Sequence, residues 1–268
     1  MTSDSRSRIA LRTVALSYLA VLLVLPVGFI FFRTFEDGLV PVWQAMTEPE
    51  AIHALYLTSI MVLIAVPLNA AFGILTAILL VRHDFRGKPL LNGLIDLPFA
   101  VSPVIIGLSL ILVYGIDGWL GQPLAALGIQ IIFSVPGMIL ATIFVSLPFV
   151  VREVAPVLKE IGTEQEEAAS TLGASGWQTF WRVTLPAIRW GVAYGVVLST
   201  ARALGEFGAV SIVSGKLVGQ TETLPLRVEN QFHNFDITGA YVAAFMLALL
   251  ALGTLLGMNR IKPKEAAS

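Results

Sequence analysis

Residues 167–186 read E-A-A-S-T-L-G-A-S-G-W-Q-T-F-W-R-V-T-L-P, and the interpretation of the whole chain starts from this stretch. It lies between two long apolar runs but has the composition of ordered helix. Thr163 and Glu166, just before it, have the spacing of a capping box, which predicts a helix start. Gly173 suits the left-handed position that closes a helix. The first half of the stretch is therefore predicted to be a short helix.

The second half of the stretch has a helix start of its own. Ser175 and Gln178 form a Ser-x-x-Gln pair just after Gly173, which predicts a second capping box. Pro186 has no backbone N–H and is expected to end this second helix. We therefore predict two short helices that meet in an elbow at residues 173–175.

The second helix carries three aromatic residues, Trp177, Phe180 and Trp181. Their i, i+3, i+4 spacing places them on one helix face. One interpretation is that they lie at the lipid–water interface, where Trp is common. The other is that they form a docking ridge for a soluble partner.

The pattern of the whole stretch resembles the EAA loop of ABC importer permeases. That loop reads Glu-Ala-Ala, three residues, Gly, nine residues, Ile, one residue, Leu-Pro, and Val183 in place of Ile is the single departure. The resemblance implies that the stretch is a coupling helix that fits a groove on an ATPase subunit. The ATPase-coupling residues that it implies are Glu167, Ala168, Ala169, Gly173, Trp177, Leu185 and Pro186.

Composition independently indicates a membrane protein. Of the 268 residues, 56% are hydrophobic and only 13% are charged, about half the usual charged fraction of about 25%. The absence of cysteine excludes disulfides and Cys-based metal sites. The three histidines fall in separate predicted loops without metal-ligand spacing. A net charge of −1 gives no indication of a nucleic-acid partner.

Long apolar runs predict six transmembrane helices in a single all-α domain over residues 1–268. The resemblance implies a permease whose core is residues 55–258. The predicted coupling segment covers residues 152–187. The predicted spans are residues 14–32, 55–81, 90–114, 131–151, 188–213 and 237–258. The first run is too long for a secretory signal, so we expect it to remain as a span.

Basic residues predict the orientation of these spans. Thirteen of the 17 Lys and Arg residues fall at the two termini, in loop 82–88 and in segment 152–189, which six spans would place on one side. Three fall on the other side. Positive charge favours the cytoplasm. We therefore expect both termini and the coupling segment to be cytoplasmic, in the inner (plasma) membrane of a bacterium and in contact with lipid.

Two groups of ionisable residues fall within predicted spans, where a charge requires a partner or a wet path. Asp96 lies near the start of the third span and either caps backbone groups opened by Pro98 and Pro103 or lines the path. Arg202 and Glu206, four residues apart, are expected to pair on one helix face. That pair is either a structural clamp or part of the translocation path or its gate.

Proline, serine and glycine interrupt the third span at Pro98, Ser102, Pro103 and Gly107. An irregular helix is tolerated where it lines a cavity or is covered by protein. We therefore expect this span to lie beside the fifth span at the pore, with Ser102 among the path residues. Gly205 and Gly208 are expected to permit close helix approach, and Gly191 and Gly195 to form a small packing face.

The resemblance extends to the transported solute. Residues 202–210 (R-A-L-G-E-F-G-A-V) resemble a segment shared by sulfate and molybdate permeases, and residues 213–226 are more similar to the CysW-type sulfate/thiosulfate permeases. The resemblance implies an ATP-driven type I importer with a MetI-like fold. It also implies a CysT-type second permease, two copies of an ATP-binding subunit and an extracytoplasmic sulfate-binding protein, for which residues 214–236 are a candidate contact.

Other functions remain open from sequence. The chain has no P-loop, because neither Gly-Lys pair is followed by Ser or Thr. We therefore expect no catalysis and no cofactor in this chain. A molybdate or tungstate permease is the nearest alternative. An ion-coupled secondary transporter is a more distant one, since we find no internal repeat of the kind common in that class.

Overall fold

The computed structural model describes residues 3–261, and within that range the chain is built from helices without a β-strand. The all-α class predicted from the apolar runs is confirmed. Lys262 and Lys264, which contributed to the charge argument, lie outside the described residues. The same is true of the side chains of Arg6 and Arg260.

The helices follow one another through short connections. Their bounds are α1 Ser3–Leu19, α2 Leu25–Phe35, α3 Leu39–Thr47, α4 Pro49–Arg82, α5 Lys88–Ala100, α6 Pro103–Tyr114, α7 Gly121–Ala126, α8 Val135–Ile161, α9 Glu164–Thr171, α10 Gly176–Thr179, α11 Leu185–Leu204, α12 Gly208–Val213, α13 Leu224–His233 and α14 Ile237–Ile261. A π-helical turn, Ala20–Val24, joins α1 to α2, and a second one, Phe180–Thr184, joins α10 to α11.

Not all six predicted spans are single long apolar helices. Within the described part of the chain, four are long and apolar enough to cross a membrane: Leu11–Phe35, Pro49–Arg82, Val135–Ile161 and Ile237–Met258. Helices α5 and α6 bend by 117° at their junction and make a fifth span if counted as one. The predicted fifth span falls on α11 and α12, where Arg189 and Arg202 lower the apolar character and the helix ends at Leu204.

Helices α4, α8 and α11 form the centre of the bundle, and glycines bring them together. A Cβ added at Gly73 of α4 would lie 2.6 Å from Cγ1 of Val150. Added at Gly191 or Gly195 of α11, it would lie 2.8 Å from the α8 backbone. The predicted packing role of Gly191 and Gly195 is confirmed, because only a residue without a Cβ permits this approach.

The outer helices cover this centre unevenly. Phe31 and Phe35 of α2 meet Phe245 of α14 edge to face, with ring centroids 5.2 and 5.3 Å apart. Most other side chains from Leu11 to Phe35 are exposed and apolar. A helix with such a surface suits contact with lipid.

The predicted loops contain helices that the hydropathy pattern did not indicate. Helix α3 and the start of α4 occupy 33–53, α7 occupies part of 115–130, and α13 occupies much of 214–236. The expectation that His53 lies in a loop is wrong, because it is helical and its Nε2 lies 3.1 Å from the carbonyl oxygen of Gln220. Short amphipathic helices have enough polar residues to resemble loops in a hydropathy average.

Candidate coupling surface and translocation path

The stretch 163–186 folds as two short helices, α9 and α10, separated by an elbow. Gly173 has φ +85°, and an added Cβ there would meet no atom within 4 Å. The requirement for glycine at Gly173 is therefore conformational. The predicted elbow is confirmed.

One of the two predicted capping boxes forms. Ser175 accepts a hydrogen bond from the Gln178 N–H, and its own N–H donates to Gln178 Oε1 at 2.9 Å. The box predicted for Thr163 and Glu166 is wrong: the Thr163 hydroxyl donates to Glu167 Oε1 at 2.6 Å instead. The reason is tertiary, because Glu166 is engaged by groups from outside the segment.

The expectation that Pro186 ends the second helix is also wrong. The chain stays helical from α10 through the π turn Phe180–Thr184 into α11, where Pro186 occupies the first turn. The Leu185 N–H donates to the Phe180 carbonyl, five residues back. The wider turn accommodates a residue that cannot donate to the carbonyl four residues before it.

The three aromatic residues of the second helix form an exposed cluster. The Trp177 ring centroid lies 6.1 Å from that of Phe180 and 5.5 Å from that of Trp181. Trp177 is 71% exposed and Trp181 is 51% exposed. We call Trp177, Phe180 and Trp181 the aromatic ridge, and exposed apolar surface of this kind is typical of a contact site.

A partly buried ion pair fastens the segment to the bundle. Arg82, the last residue of α4, donates through Nε to Glu166 Oε2 at 2.9 Å. Its Nη1 and Nη2 also donate to the carbonyls of Leu158 and Gly162, at 2.9 and 2.6 Å. The Thr184 hydroxyl donates to Glu166 Oε1 at 2.8 Å. We call Arg82, Glu166 and Thr184 the arginine anchor.

An exposed ion pair lies in the loop just beyond Arg82. The Lys88 ammonium donates to Asp84 Oδ1 at 2.7 Å, and it lowers the pKa of that carboxyl through the hydrogen bond and its charge. The pair joins a loop residue to the first residue of α5, and exposed pairs of this kind add little stability.

Asp96 does not cap the backbone as expected. Its Oδ1 accepts from Arg152 Nε at 2.8 Å, and Arg152 Nη2 lies 2.5 Å from its Oδ2. Arg152 also donates to Asn92 Oδ1 at 3.0 Å. A bidentate guanidinium from α8 neutralises the carboxylate better than backbone donors do. The ion pair therefore links α5 to α8.

Arg202 and Glu206 pair as predicted, but not on one continuous helix. Nη1 of Arg202 lies 2.5 Å from Oε2 of Glu206, and the Glu206 side chain is only 1% exposed. Helix α11 ends at Leu204, so Glu206 lies in the break before α12. Its Oε1 accepts the Ala209 N–H at 2.8 Å. Glu206 thus pairs with an arginine and caps the next helix.

Two helix breaks meet at this point. A Cβ added at Gly208 would lie 2.8 Å from Cβ of Pro103, and one added at Gly107 would lie 2.8 Å from the Ala209 carbonyl oxygen. The predicted contact between the third and fifth spans is confirmed, as is close approach at Gly208. Gly205 has only its own helix nearby, at 3.8 Å from the Ala201 carbonyl, so the expectation for Gly205 is wrong. Ser102, exposed, borders the meeting point.

Comparisons with known proteins place this architecture in a family. A model described as "binding-protein-dependent transport system inner membrane component" matches residues 69–265. The chain belongs to this family. Its matched region includes both the coupling segment and the two helix breaks.

Curated relatives of this permease are highly similar over most of their length. The chain is 55% identical over 241 residues (90% of this chain, 87% of the relative) to "Sulfate transport system permease protein CysW" of Synechocystis. It is 52% identical over 236 residues (88% and 81%) to the Escherichia coli K12 protein of the same description. It is 42% identical over 245 residues (91% and 88%) to "Sulfate transport system permease protein CysT" of Synechococcus elongatus.

A solved structure shares the permease fold. The "crystal structure of a bacterial ABC transporter involved in the import of the acidic polysaccharide alginate" superposes with a TM-score of 0.80, covering 97% of this chain and 96% of that one. The two sequences are 17% identical. The match confirms the ABC importer permease fold that the resemblance implied.

A buried charge network lies at the other end of the permease. The Arg227 guanidinium of α13 contacts Glu48, which precedes α4, and its Nη1 donates to Glu222 Oε2 at 3.3 Å. Glu222 Oε1 accepts from Asn230 at 2.7 Å. An exposed pair, Lys216 to Glu229 at 2.6 Å, lies beside it. This network holds the 214–236 region against α4.

Sequence reasoning missed the partners in these ion pairs. The sequence indicated only an orientation role for Arg82, Arg152 and Arg227, and no role for Thr184. Each bonds a residue between five and 179 positions away. The one available signal was the position of Arg82 at the end of a predicted span, where cations are favoured, whereas Arg152 lies inside α8. Among the residues that the structure describes, no three His, Asp or Glu side chains could hold a metal ion.

Proposed function

We propose that this chain is a permease subunit of an ATP-driven importer of sulfate and thiosulfate. Its identity to sulfate permeases of the CysW description, 51–55% in three bacteria, supports the solute assignment. Lower identity to the CysT description, 40–42%, supports pairing with a second permease of that type. The proposed assembly has two ATP-binding subunits and an extracytoplasmic sulfate-binding protein.

The observation that carries the coupling role is the exposed aromatic ridge beside α9. Trp177 and Trp181 are exposed, and the helical stretch that carries them is fastened to α9 through Thr184 and Glu166. In the proposed complex, this surface enters a groove of the ATPase together with Glu167, Ala168 and Ala169. Leu185 and Pro186 join the ridge to α11.

The proposed orientation places the coupling segment and both termini in the cytoplasm and the chain in the bacterial inner membrane. The bias of basic residues supports it. Region 214–236 then faces outward, where it is the proposed contact for the sulfate-binding protein.

The proposed translocation path runs past the meeting point of the two helix breaks. Ser102, Arg202 and Glu206 lie at these breaks, where backbone groups leave the helical ladder and can face a cavity. Asp96 lies one helix earlier and is held by Arg152. We place Asp96 near the inner end of the path, with Arg202 attracting the oxyanion farther out.

Uptake of labelled sulfate tests the function. Cells lacking this chain are compared with and without its restoration, with excess unlabelled molybdate as competitor. We expect restored uptake that depends on ATP and resists molybdate. If excess molybdate abolishes the restored uptake, the solute assignment changes from sulfate to molybdate. Absence of uptake with all partner subunits present would contradict the sulfate assignment.

The path assignment is tested at Arg202. We expect Arg202→Ala to lower uptake while the complex still assembles. Because this variant leaves Glu206 buried and unpaired, the neutral pair Arg202→Gln with Glu206→Gln is measured alongside it. A double variant that assembles but transports poorly supports a role for the charge. Full uptake by the double variant would reduce the pair to a structural clamp.

A further inference from the structure

The arginine anchor joins three helices at one carboxylate. Glu166 of α9 accepts from Arg82 at the end of α4 and from Thr184 in the π turn before α11. The same guanidinium donates to the carbonyls of Leu158 and Gly162 at the end of α8. These are orphan carbonyls that a helix end leaves unpaired, and a cation satisfies them well.

Two irregular connections join the coupling segment to its neighbours. Gly162 joins α8 to α9 with φ +64°, and an added Cβ there would meet no atom within 4 Å. At the other end lies the π turn Phe180–Thr184, a departure from the regular helical ladder. A displacement of α9 and α10 would be absorbed at these two joints.

The anchor is also less exposed than the proposed docking surface. The side chains of Arg82 and Glu166 are 11% and 22% exposed, whereas Glu167 and the two tryptophans are exposed. Fastening and docking therefore rely on different residues of the segment. A change at Glu166 can alter the first and leave the second intact.

We infer that Arg82, Glu166 and Thr184 are positioning residues that make the coupling segment move as one body with α4, α8 and the start of α11. Displacement of the segment by the ATPase then reaches all three helices at once. The inference rests on the proposed importer function. Weakening the anchor uncouples ATP hydrolysis from transport while the ATPase remains bound.

The decisive variant is Glu166→Gln in the complete importer, reconstituted in proteoliposomes. It keeps the shape of the side chain and removes the charge that Arg82 binds. Glu164→Gln is the matched control, because Glu164 is an exposed carboxylate on the first turn of the same helix. Thr184→Val, which leaves the Arg82–Glu166 pair in place, is the second variant in case Glu166→Gln does not assemble.

Two quantities are measured: sulfate transported per ATP hydrolysed and ATPase copurified per permease. For Glu166→Gln we expect the transport ratio to fall about fivefold, the lower end of coupling between sites, with unchanged copurification. The control keeps both values. The inference would be overturned if Glu166→Gln left the transport ratio unchanged. It would also be overturned if the variant lowered the transport ratio and the copurified ATPase together.

A third measurement does not depend on the solute. The chain has no cysteine, so spin labels are introduced at Ser170→Cys on α9 and Leu75→Cys on α4. We expect a narrow distance distribution that is the same with and without ATP, and a broader one in Glu166→Gln. Identical distributions in Glu166→Gln and Glu164→Gln would contradict the anchor even if sulfate proved to be the wrong solute.

Discussion

The two ends of α4 are each held by an arginine, and the two arrangements differ in burial. At the end of the helix, Arg82 binds Glu166 of the coupling segment, with side chains 11% and 22% exposed. At its start, Arg227 joins Glu48 to Glu222, and the Arg227 and Glu222 side chains are 6% and 2% exposed. Both use bonds between elements distant in sequence.

The surroundings of Arg82 are also more exposed than those of Arg227. Arg82 binds a segment whose aromatic ridge is exposed, whereas Arg227 lies on α13, where Leu224 and Leu226 are also buried in the bundle. Removing one partner of an ion pair costs more where the remaining charge is deeply buried than where it is partly exposed. We interpret the Arg227 end as a fixed platform and the Arg82 end as the moving one.

The largest expected effect is at the buried end. Arg227→Ala leaves Glu222 buried without its cation, so we expect a loss of about 3–5 kcal/mol in the free energy of unfolding. The purified permease should melt at a clearly lower temperature. The control is Lys216→Ala, which removes an exposed pair and should cost at most about 1 kcal/mol. Equal melting temperatures for the two variants would remove the distinction between the ends.

The elbow of the coupling segment comes next. Gly173→Pro is incompatible with φ +85° and removes the N–H that donates to the Ser170 carbonyl at 2.9 Å. We expect copurified ATPase to fall at least about tenfold, since such a change costs roughly 3 kcal/mol or more locally, while membrane insertion continues. Gly176→Ala is the control, because an added Cβ meets no atom there and φ is ordinary. Full copurification and uptake in Gly173→Pro would contradict the elbow's role.

A smaller effect is expected from reversing one exposed charge. Glu167→Lys leaves the arginine anchor untouched, but it changes the sign of a carboxylate on the proposed docking side. We expect copurified ATPase to drop about tenfold, an interface change of about 1.4 kcal/mol, with unchanged melting temperature. A lower melting temperature with an unchanged amount of copurified ATPase would show that Glu167 supports the fold rather than the contact.

The smallest effect is expected at the start of α10. Ser175→Ala removes the hydroxyl that accepts the Gln178 N–H and should cost about 1 kcal/mol of local helix stability. Hydrogen exchange of the α10 amides should quicken severalfold, with α9 amides as the internal reference. Because the aromatic ridge stands on this helix, ATPase affinity should fall slightly. An unchanged exchange rate would mean that packing alone maintains the helix.

Local chemistry explains why part of the coupling segment could be predicted from sequence. The elbow at Gly173 and the Ser175 box depend on residues within three positions of each other, and both formed as expected. The Thr163 box and the stop at Pro186 follow equally local rules, yet neither formed. Glu166 is engaged by Arg82 from α4, and the chain continues past Pro186 through a π turn.

The sequence by itself determined the family, the all-helical class, the EAA-like segment, its elbow and the pairing of Arg202 with Glu206. These features depend on composition, short-range spacing or a motif. Only the tertiary structure decided which arginine neutralises which carboxylate: Arg82 with Glu166, Arg152 with Asp96, and Arg227 with Glu48 and Glu222. The attraction between two charges depends on their distance in space and not on their separation in sequence. Several arginines could therefore neutralise a given carboxylate, and helix packing selects the one within reach.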